Sequence, residues 1–170
     1  MVLKNVRLSY AHIWEPKESF GTSQYSTGIL IPKDHPQIGV INEELARLKE
    51  EFKAAHKGKL PGKFKSPLRD GDIERPQDPN YMNHYFINAY AKKRAPEIVD
   101  MYKNKITNPS EVYSGCYVNI SVTFYTFDTA TKGIACGLNN IQKLRDGSKL
   151  GGATTAAEDF EVEEGDTLLD

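Results

Sequence analysis

The sequence predicts a mainly β protein, in which five strands and one α-helix precede a polar tail. Apolar and polar residues alternate over 2–13, 23–31, about 82–93, 115–127 and 133–144, and a period of two is typical of half-buried strands. Between the second and third segments, apolar residues recur every three or four positions, which predicts an amphipathic helix. This order favours an OB-type, five-stranded antiparallel barrel with one α-helix after the second strand and a disordered acidic tail.

The first strand and the helix have the clearest patterns. Val6, Leu8 and Tyr10 alternate with polar residues, and the segment from Pro16 to Gly21 is expected to break the strand. The apolar stripe of the helix consists of Ile38, Ile41, Leu45, Leu48, Phe52 and Ala55. We expect this stripe to lie on one end of the barrel.

The last two strands are predicted to form a hairpin around a turn at 128–132. After Asp146 the apolar periodicity stops, and Gly, Ala and Thr predominate up to the acidic end. We therefore predict an OB-fold domain over 1–146, followed over 147–170 by a flexible linker and an acidic C-terminal tail.

The net charge of −1 hides an uneven distribution. Seven of the 23 acidic residues lie within 158–170, which holds no Lys or Arg. The other 16 acids are opposed by all 22 basic residues, so 1–157 carries a net charge of +6. A functional assignment has to explain this combination of a basic body and an acidic tail.

Several classes of function find no support in the sequence. No stretch is long and apolar enough to cross a membrane, and the start lacks the pattern of a secretory signal, so the cytoplasm is the expected compartment. Cys116 and Cys136 lie in strand patterns without metal-ligand spacing, and buried, reduced thiols are expected. No catalytic or phosphate-binding motif occurs in a fitting context, so we expect no enzyme active site, no metal and no cofactor.

Aromatic residues occupy strand positions that are out of phase with the predicted core. On the third strand, for example, Ile87 and Ala89 are predicted to face inward, which turns their neighbours outward. The candidate stacking residues are Phe86, Tyr90, Tyr117, Tyr125 and Phe127. Such rings stack on bases of any sequence, at about 1–3 kcal/mol per base, which predicts binding of single-stranded nucleic acid. The alternative is that the rings pack under loops or at a dimer interface.

Basic residues are concentrated in the loop at 57–69 and directly after the third strand. The candidate phosphate contacts are Arg7, Lys63, Lys65, Lys92, Lys93 and Arg94. Cations that neutralise phosphates release counterions, which makes binding depend on salt. A solvated surface loop is the alternative for the 57–69 segment.

The acidic tail combines carboxylates with apolar anchors. Its candidate partner-binding residues are Glu158, Asp159, Phe160, Glu161, Glu163, Glu164, Asp166, Leu168, Leu169 and Asp170. A tethered polyanion is able to occupy a cationic groove while the nucleic acid is absent and to dock on basic partners once it is displaced. A tail that only improves solubility is the alternative.

The chain resembles the single-stranded DNA-binding proteins of bacteriophages, including a family in phages and prophages of Gram-positive bacteria. The likeness covers nearly the whole chain, and rests on VRLSY at 6–10, YSTGILIP at 25–32 followed by the helix, YSGCYVNI at 113–120 and GLNNIQ at 137–142. It implies an OB fold, sequence-tolerant binding of single-stranded DNA in phage replication, recombination and repair inside the bacterial host cell, a homodimer, and a tail that contacts replication or recombination proteins. Tails of relatives often end in an aromatic residue, whereas this one ends in Leu168-Leu169-Asp170.

Two other functions compete with DNA binding. Asp70, Asp72 and Glu74 are clustered carboxylates, as a metal-dependent nuclease or resolvase would need, but they lack the spacing of a known metal loop. A structural β-protein of a phage particle would instead use its aromatic faces as subunit contacts.

Overall fold

The computed structural model describes residues 1–19, 21–151, 156 and 160–163. Short 3₁₀ turns at Pro79–Tyr81 and Pro109–Glu111 accompany the regular elements. The strands are β1 (Val2–Ser19), β2 (Thr22–Pro32), β3 (Arg69–Asp70), β4 (His84–Ala91), β5 (Glu97–Val99), β6 (Tyr117–Asp128) and β7 (Lys132–Arg145). The helices are α1 (Ile38–Ala55) and the short α2 (Gly71–Glu74).

Five long strands close into a barrel in the order β1-β2-β4-β7-β6, and β6 returns to β1. The sequence-based prediction of a five-stranded OB-type barrel with a helix after the second strand is confirmed. Four of its pairings are antiparallel, as predicted, but β4 and β7 close the barrel in parallel through Ala89–Cys136 and Tyr90–Gly137. The short strands β3 and β5 extend the sheet beside β4 and β7.

The interior of the barrel is filled by inward-facing aliphatic side chains. Its fully buried members include Leu3, Val6, Leu8, Ile29, Ile31, Ile87, Val118, Ile120, Val122 and Ile141. Cys116 and Cys136 are buried free thiols, and burial raises the pKa of Cys136 to about 12, which keeps it protonated. Among the described residues, no helix is long and apolar enough to cross a membrane.

Helix α1 packs on β6 and β7 through the predicted stripe, and Ile41, Leu45, Leu48 and Phe52 are buried. Its C-terminal end is fixed by His56, whose ring stacks on Phe52 at 3.9 Å between centroids. The Nε2 atom of His56 lies 2.7 Å from a carboxylate oxygen of Asp128 at the tip of the β6–β7 hairpin. The helix is thereby attached to the hairpin at its far end.

Strand β1 is longer than predicted, because it continues past Pro16 to Ser19. The pairing with β2 shifts between His12–Ser26 and Lys17–Gln24, and Pro16 lies inside this irregular stretch, where a missing N–H breaks no regular ladder. A second shift between Ser9–Gly28 and His12–Ser26 is a bulge with one extra residue on β1.

Residues 69–83, here named the covering segment, lie over one end of the outer face of β4. Tyr81 and Phe86 contact each other edge to face at 5.2 Å, and with Leu30 they form a small second core outside the barrel. Gly71 permits this close packing, since a Cβ atom there would lie 2.4 Å from the carbonyl oxygen of Tyr81.

Residues 146–151, here named the tail root, remain in contact with the barrel beyond the predicted boundary at 146. The hydroxyl of Tyr113 donates to Asp146 at 3.0 Å, and the N–H of Leu150 donates to the carbonyl of Ser114 at 2.9 Å. Leu150 also packs against the second core. The first residues of the segment that we assigned to the linker therefore pack against the barrel.

Candidate nucleic-acid interface

One row of cross-strand partners runs across the outer face of the barrel. It joins His12 on β1, Ser26 on β2, Tyr90 on β4, Gly137 on β7 and Thr123 on β6. Because successive residues of a strand point to opposite faces, and the alternate positions on these strands are buried or half-buried, this row faces outward. The covering segment leaves this part of the outer face open.

An open groove of about 360 Å³ lies on this face, where β1, β2 and β4 meet the covering segment. Its lining combines aromatic, basic and uncharged polar side chains, and none of the lining residues is acidic. They are Tyr10, His12, Lys17, Gln24, Ser26, Thr27, Gly28, Arg75, Asn88 and Tyr90. The groove therefore has the composition that an anionic, base-bearing strand requires.

Tyr10 stands at the centre of this region because of the bulge in β1. Simple alternation with Val6 and Leu8 would place it in the core, but the extra residue and a φ of 44° turn it outward. It is 58% exposed, and it borders both the groove and a depression formed by the tail root. A positive φ at a tyrosine is costly and persists only where the surrounding structure enforces it.

Arg75 forms one wall of the groove. Its guanidinium lies 5.5 Å from the ring centroid of Tyr10, 5.4 Å from that of Tyr81 and 5.7 Å from that of Phe86. Cation–π contacts of this kind hold the charge in place without neutralising it. The covering segment thus supplies a fixed cation beside an exposed ring.

Tyr90 and Tyr125 extend the aromatic surface around the barrel. They are 41% and 46% exposed. Gly137 lies next to both: it pairs with Tyr90, and a Cβ atom on it would lie 3.7 Å from the ring of Tyr125. The missing side chain leaves a flat floor between the two rings.

A protein-family model described as "Enterobacter phage Enc34, ssDNA-binding protein" matches residues 1–169. The chain belongs to this family of phage single-stranded DNA-binding proteins. The putative protein p50 of Acyrthosiphon pisum secondary endosymbiont phage 1 is 30% identical over an alignment of 172 positions, which covers 94% of this chain and 91% of p50. The resemblance found in the sequence is thereby confirmed.

Solved structures agree with this family assignment. The single-stranded DNA-binding protein from bacteriophage Enc34 in complex with ssDNA is 26% identical, with a TM-score of 0.75 over 88% of each chain. The single-stranded DNA-binding protein gp2.5 encoded by bacteriophage T7 has a TM-score of 0.63 over 97% of each chain. At 19% identity, the second likeness concerns the fold alone.

Phe86 is not exposed, although its position in the sequence predicts exposure. It lies on the outer side of β4, as expected, but the covering segment buries it to 1% exposure. Arg69 also lies over its ring, at 5.2 Å. The expectation that Phe86 is an exposed stacking residue is wrong, because the covering segment, which directly precedes β4 in the chain, folds back over this end of the strand.

Tyr117 and Arg7 lie away from the groove, at the tail root. The ring of Tyr117 lies between Arg145 at 4.2 Å and Arg7 at 5.4 Å. Arg7 donates from Nε to the carbonyl of Gly115 at 2.9 Å and from Nη2 to that of Ser148 at 2.7 Å. Both side chains therefore hold the tail root against β1 and β6.

The remaining predicted cations lie directly after β4 and in the loop before β3. Lys92, Lys93 and Arg94 are exposed directly after β4, close to Tyr90. Lys63 and Lys65 are exposed in the loop before β3. The backbone of Lys65 pairs with Gly133, which is the cross-strand partner of the half-buried Phe127.

Of the acidic tail, Phe160, Glu161 and Glu163 are described and exposed. The other predicted tail residues lie outside the described part of the chain. They are Glu158, Asp159, Glu164, Asp166, Leu168, Leu169 and Asp170.

The carboxylates considered for a nuclease are engaged by cations. Lys33 Nζ lies 2.8 Å from both Asp70 and Asp72, and its hydrogen bonds lower the pKa of both carboxyl groups. Arg69 donates to Glu74 at 2.8 Å. Among the described residues, no three His, Cys, Asp or Glu side chains are arranged to hold a metal ion.

Of the ten residues that line the groove, only Tyr90 was predicted from the sequence, and the aromatic and basic residues that were missed are Tyr10, His12, Lys17 and Arg75. His12 has a pKa below the ordinary value of 6.5, because it is partly buried and because Lys17 is close. A strand register with its bulges would have revealed the residues on β1, but no local pattern marks Arg75, which reaches the groove through the covering segment.

Proposed function

We propose that this chain binds single-stranded DNA independently of sequence, with the strand lying in the groove beside Tyr10 and Tyr90. The observation that carries the proposal is the open, acid-free groove in which Lys17 and Arg75 accompany two exposed rings. Membership of a family of phage single-stranded DNA-binding proteins supports the same assignment.

In the proposed complex, bases stack on Tyr10, Tyr90 and Tyr125. Stacking tolerates every base, because each base has a π-face, and contributes about 1–3 kcal/mol per base. Gln24, Ser26 and Asn88 on the floor of the groove offer hydrogen-bond partners to sugars and base edges. Binding therefore needs no particular sequence.

Phosphates are proposed to contact Lys17 and Arg75, together with the exposed cations at 92–94 and, in the loop before β3, Lys63 and Lys65. Each contact on a single strand lowers the slope of log K against log salt by about 0.7. We do not place Arg7 and Tyr117 on the strand, since both hold the tail root.

A fluorescence titration with oligo-dT tests the proposal. Affinity should fall steeply with salt, and Lys17→Ala should make the slope shallower by about 0.7. Lys49→Ala, which removes the same charge from helix α1, is the matched control and should leave the slope unchanged. Absence of binding at low salt would exclude the proposed function.

We further propose that the acidic tail competes with DNA for the groove and recruits replication or recombination proteins. Leu150 and Gly151 line a depression that Tyr10 shares with the groove, so the tail starts beside the cations that it would contact. Deleting 158–170 should tighten DNA binding, most strongly at low salt. Unchanged affinity after this deletion would exclude the competition.

The biological role that follows is coating of single strands during phage or prophage replication, recombination and repair in the host cytoplasm, without enzymatic activity. Incubation of labelled DNA with Mg²⁺ or Mn²⁺ tests the last point, and cleavage that disappears with Asp72→Ala would favour a nuclease. We also propose a homodimer, which sedimentation equilibrium tests directly.

A further inference from the structure

A tight turn between β5 and Ile106 presents an aromatic side chain away from the groove. The carboxylate of Asp100 accepts the N–H groups of Tyr102 at 2.8 Å and Asn104 at 2.9 Å. The backbones of Asp100 and Asn104 also pair at 2.9 Å. Lys103 adopts a φ of 69°. The turn is therefore fixed by backbone groups and one carboxylate, and its shape does not depend on the ring of Tyr102.

Tyr102 is 79% exposed, and Lys103 and Lys105 beside it are exposed as well. A tyrosine is normally at least half covered in a folded protein, because its ring is largely apolar. Because the turn is already fixed, binding of a partner to this ring would cost less conformational entropy than binding to a ring on a flexible loop. This presentation indicates a binding role.

The turn is connected to the outer face of the barrel that carries Tyr125. Gln142 donates to the carbonyls of Asp100 and Met101, both at 3.4 Å, and accepts a hydrogen bond from Asn119 at 2.9 Å. Along β7, Gln142 is five residues beyond Gly137, which corresponds to about 17 Å. A strand with about 3.4 Å between nucleotides would cover this distance with at most about five.

Uncharged polar side chains occupy the surface between these two points. We name this surface the outer track, and its side chains are those of Thr123, Ser121, Asn119, Asn139, Asn140 and Gln142. Several of them bond to one another, as Asn139 does to Thr123 at 2.9 Å. Arg94 donates to Asn140 at 3.2 Å and adds a cation to one edge, whereas Glu97, the cross-strand partner of Asn140, adds one anion.

We infer that Tyr102, with Lys103 and Lys105, forms a second contact for the same DNA strand, which leaves the groove past Tyr125 and follows the outer track. This inference rests on the proposed function. A stacking ring, flanking cations and a neutral polar path match a single-stranded polyanion better than they match an apolar protein partner. The second contact lengthens the binding site and does not alter the groove.

Oligo-dT of increasing length tests the inference with Tyr102→Ala. Oligonucleotides of about four nucleotides fill only the groove and should bind the variant and the original chain equally. Oligonucleotides of about 16 should bind the variant about 5- to 150-fold more weakly, as expected for one lost stacking contact. Tyr102→Phe keeps the ring and should bind like the original chain. Glu97→Gln should tighten binding of the long oligonucleotides only.

Three results would overturn the inference. Equal loss for short and long oligonucleotides would place Tyr102 in the groove contact or in folding, and no loss at any length would remove it from the DNA path. A changed sedimentation coefficient with unchanged affinity would make the turn a contact between copies of the chain. Tyr90→Ala, measured alongside, separates these cases from failure of the proposed function, because it should weaken binding at every length.

Discussion

We expect different effects from replacing Tyr90 and from replacing Phe86, although both residues lie on the outer side of β4 and only four residues apart. The structure separates them by burial alone: Tyr90 is open to solvent beside the groove, whereas Phe86 is enclosed by Tyr81, Leu30 and the covering segment. Replacing each by Ala should therefore affect DNA affinity in one case and stability in the other.

Removal of the Phe86 ring takes a buried aromatic from a packed cluster, which costs about 3–5 kcal/mol in the free energy of unfolding. Removal of the Tyr90 ring changes that free energy by no more than about 0.5 kcal/mol, as expected for a solvent-exposed site. The loss of one stacked base should cost Tyr90→Ala about 1–3 kcal/mol of binding, or about 5- to 150-fold in Kd.

Urea denaturation followed by circular dichroism measures the first quantity, and oligo-dT titration at one fixed salt concentration measures the second. Tyr90→Phe serves as a control that retains the ring. The reasoning would be refuted by a Tyr90→Ala variant that loses stability but binds DNA normally. A Phe86→Ala variant of unchanged stability and weakened binding would refute it equally.

Three further predictions concern glycines and histidines. Gly28→Ala should lower the free energy of unfolding by about 1–3 kcal/mol, because the new Cβ atom would lie 2.5 Å from Ser9 Oγ. Gly137→Ala should raise the free energy of unfolding by about 0.5–1 kcal/mol, because its Cβ atom would have no contact under 3.4 Å. Equal urea midpoints for the two variants would contradict these expectations. His12 has a lowered pKa and is neutral at pH 7, so DNA affinity should rise as the pH falls through that pKa and His12 gains charge beside phosphate. The variant His12→Gln should flatten this rise in affinity. A pH profile that His12→Gln leaves unchanged would exclude a contact between His12 and phosphate. Asp128 raises the pKa of His56, so their ion pair stabilises the fold fully below about pH 6.5 and is lost as the pH rises through the folded pKa. The difference in Tm between the original chain and His56→Gln should therefore be larger at about pH 5.5 than at about pH 9. A difference in Tm that does not change with pH would contradict this prediction.

Much of the fold could be predicted from local periodicity. The stripe from Ile38 to Ala55 and the alternation at 118–124 depend on neighbouring residues only, and both are present as a helix and a strand. The end of β1 and the orientation of Tyr10 could not be predicted in this way. Bulges change the phase of alternation, and they depend on pairing with β2, which a single strand does not reveal.

Residues of the candidate site could be predicted where the exposure of a side chain is set by the alternation along its own strand. Tyr90 and Tyr125 are exposed as alternation indicates. Phe86 is covered by Leu30 of β2 and by the covering segment, which folds back over β4, and Arg75 enters the groove by the same segment. Tertiary contacts of this kind leave no periodic signal, so a strand pattern alone assigns the same exposure to residues that the fold treats differently.

The ordered tail root fixes where the acidic segment begins, since Leu150 is bonded to Ser114 and only residues 151–157 separate it from Glu158. A ligand on so short a tether experiences an effective concentration of roughly millimolar, whatever the concentration of the protein. Dilution would then leave the proposed occupancy of the groove by the tail unchanged, and a free peptide of the same sequence would have to reach roughly millimolar levels to replace it. Lengthening the tether, in contrast, would weaken this occupancy without altering a single contact.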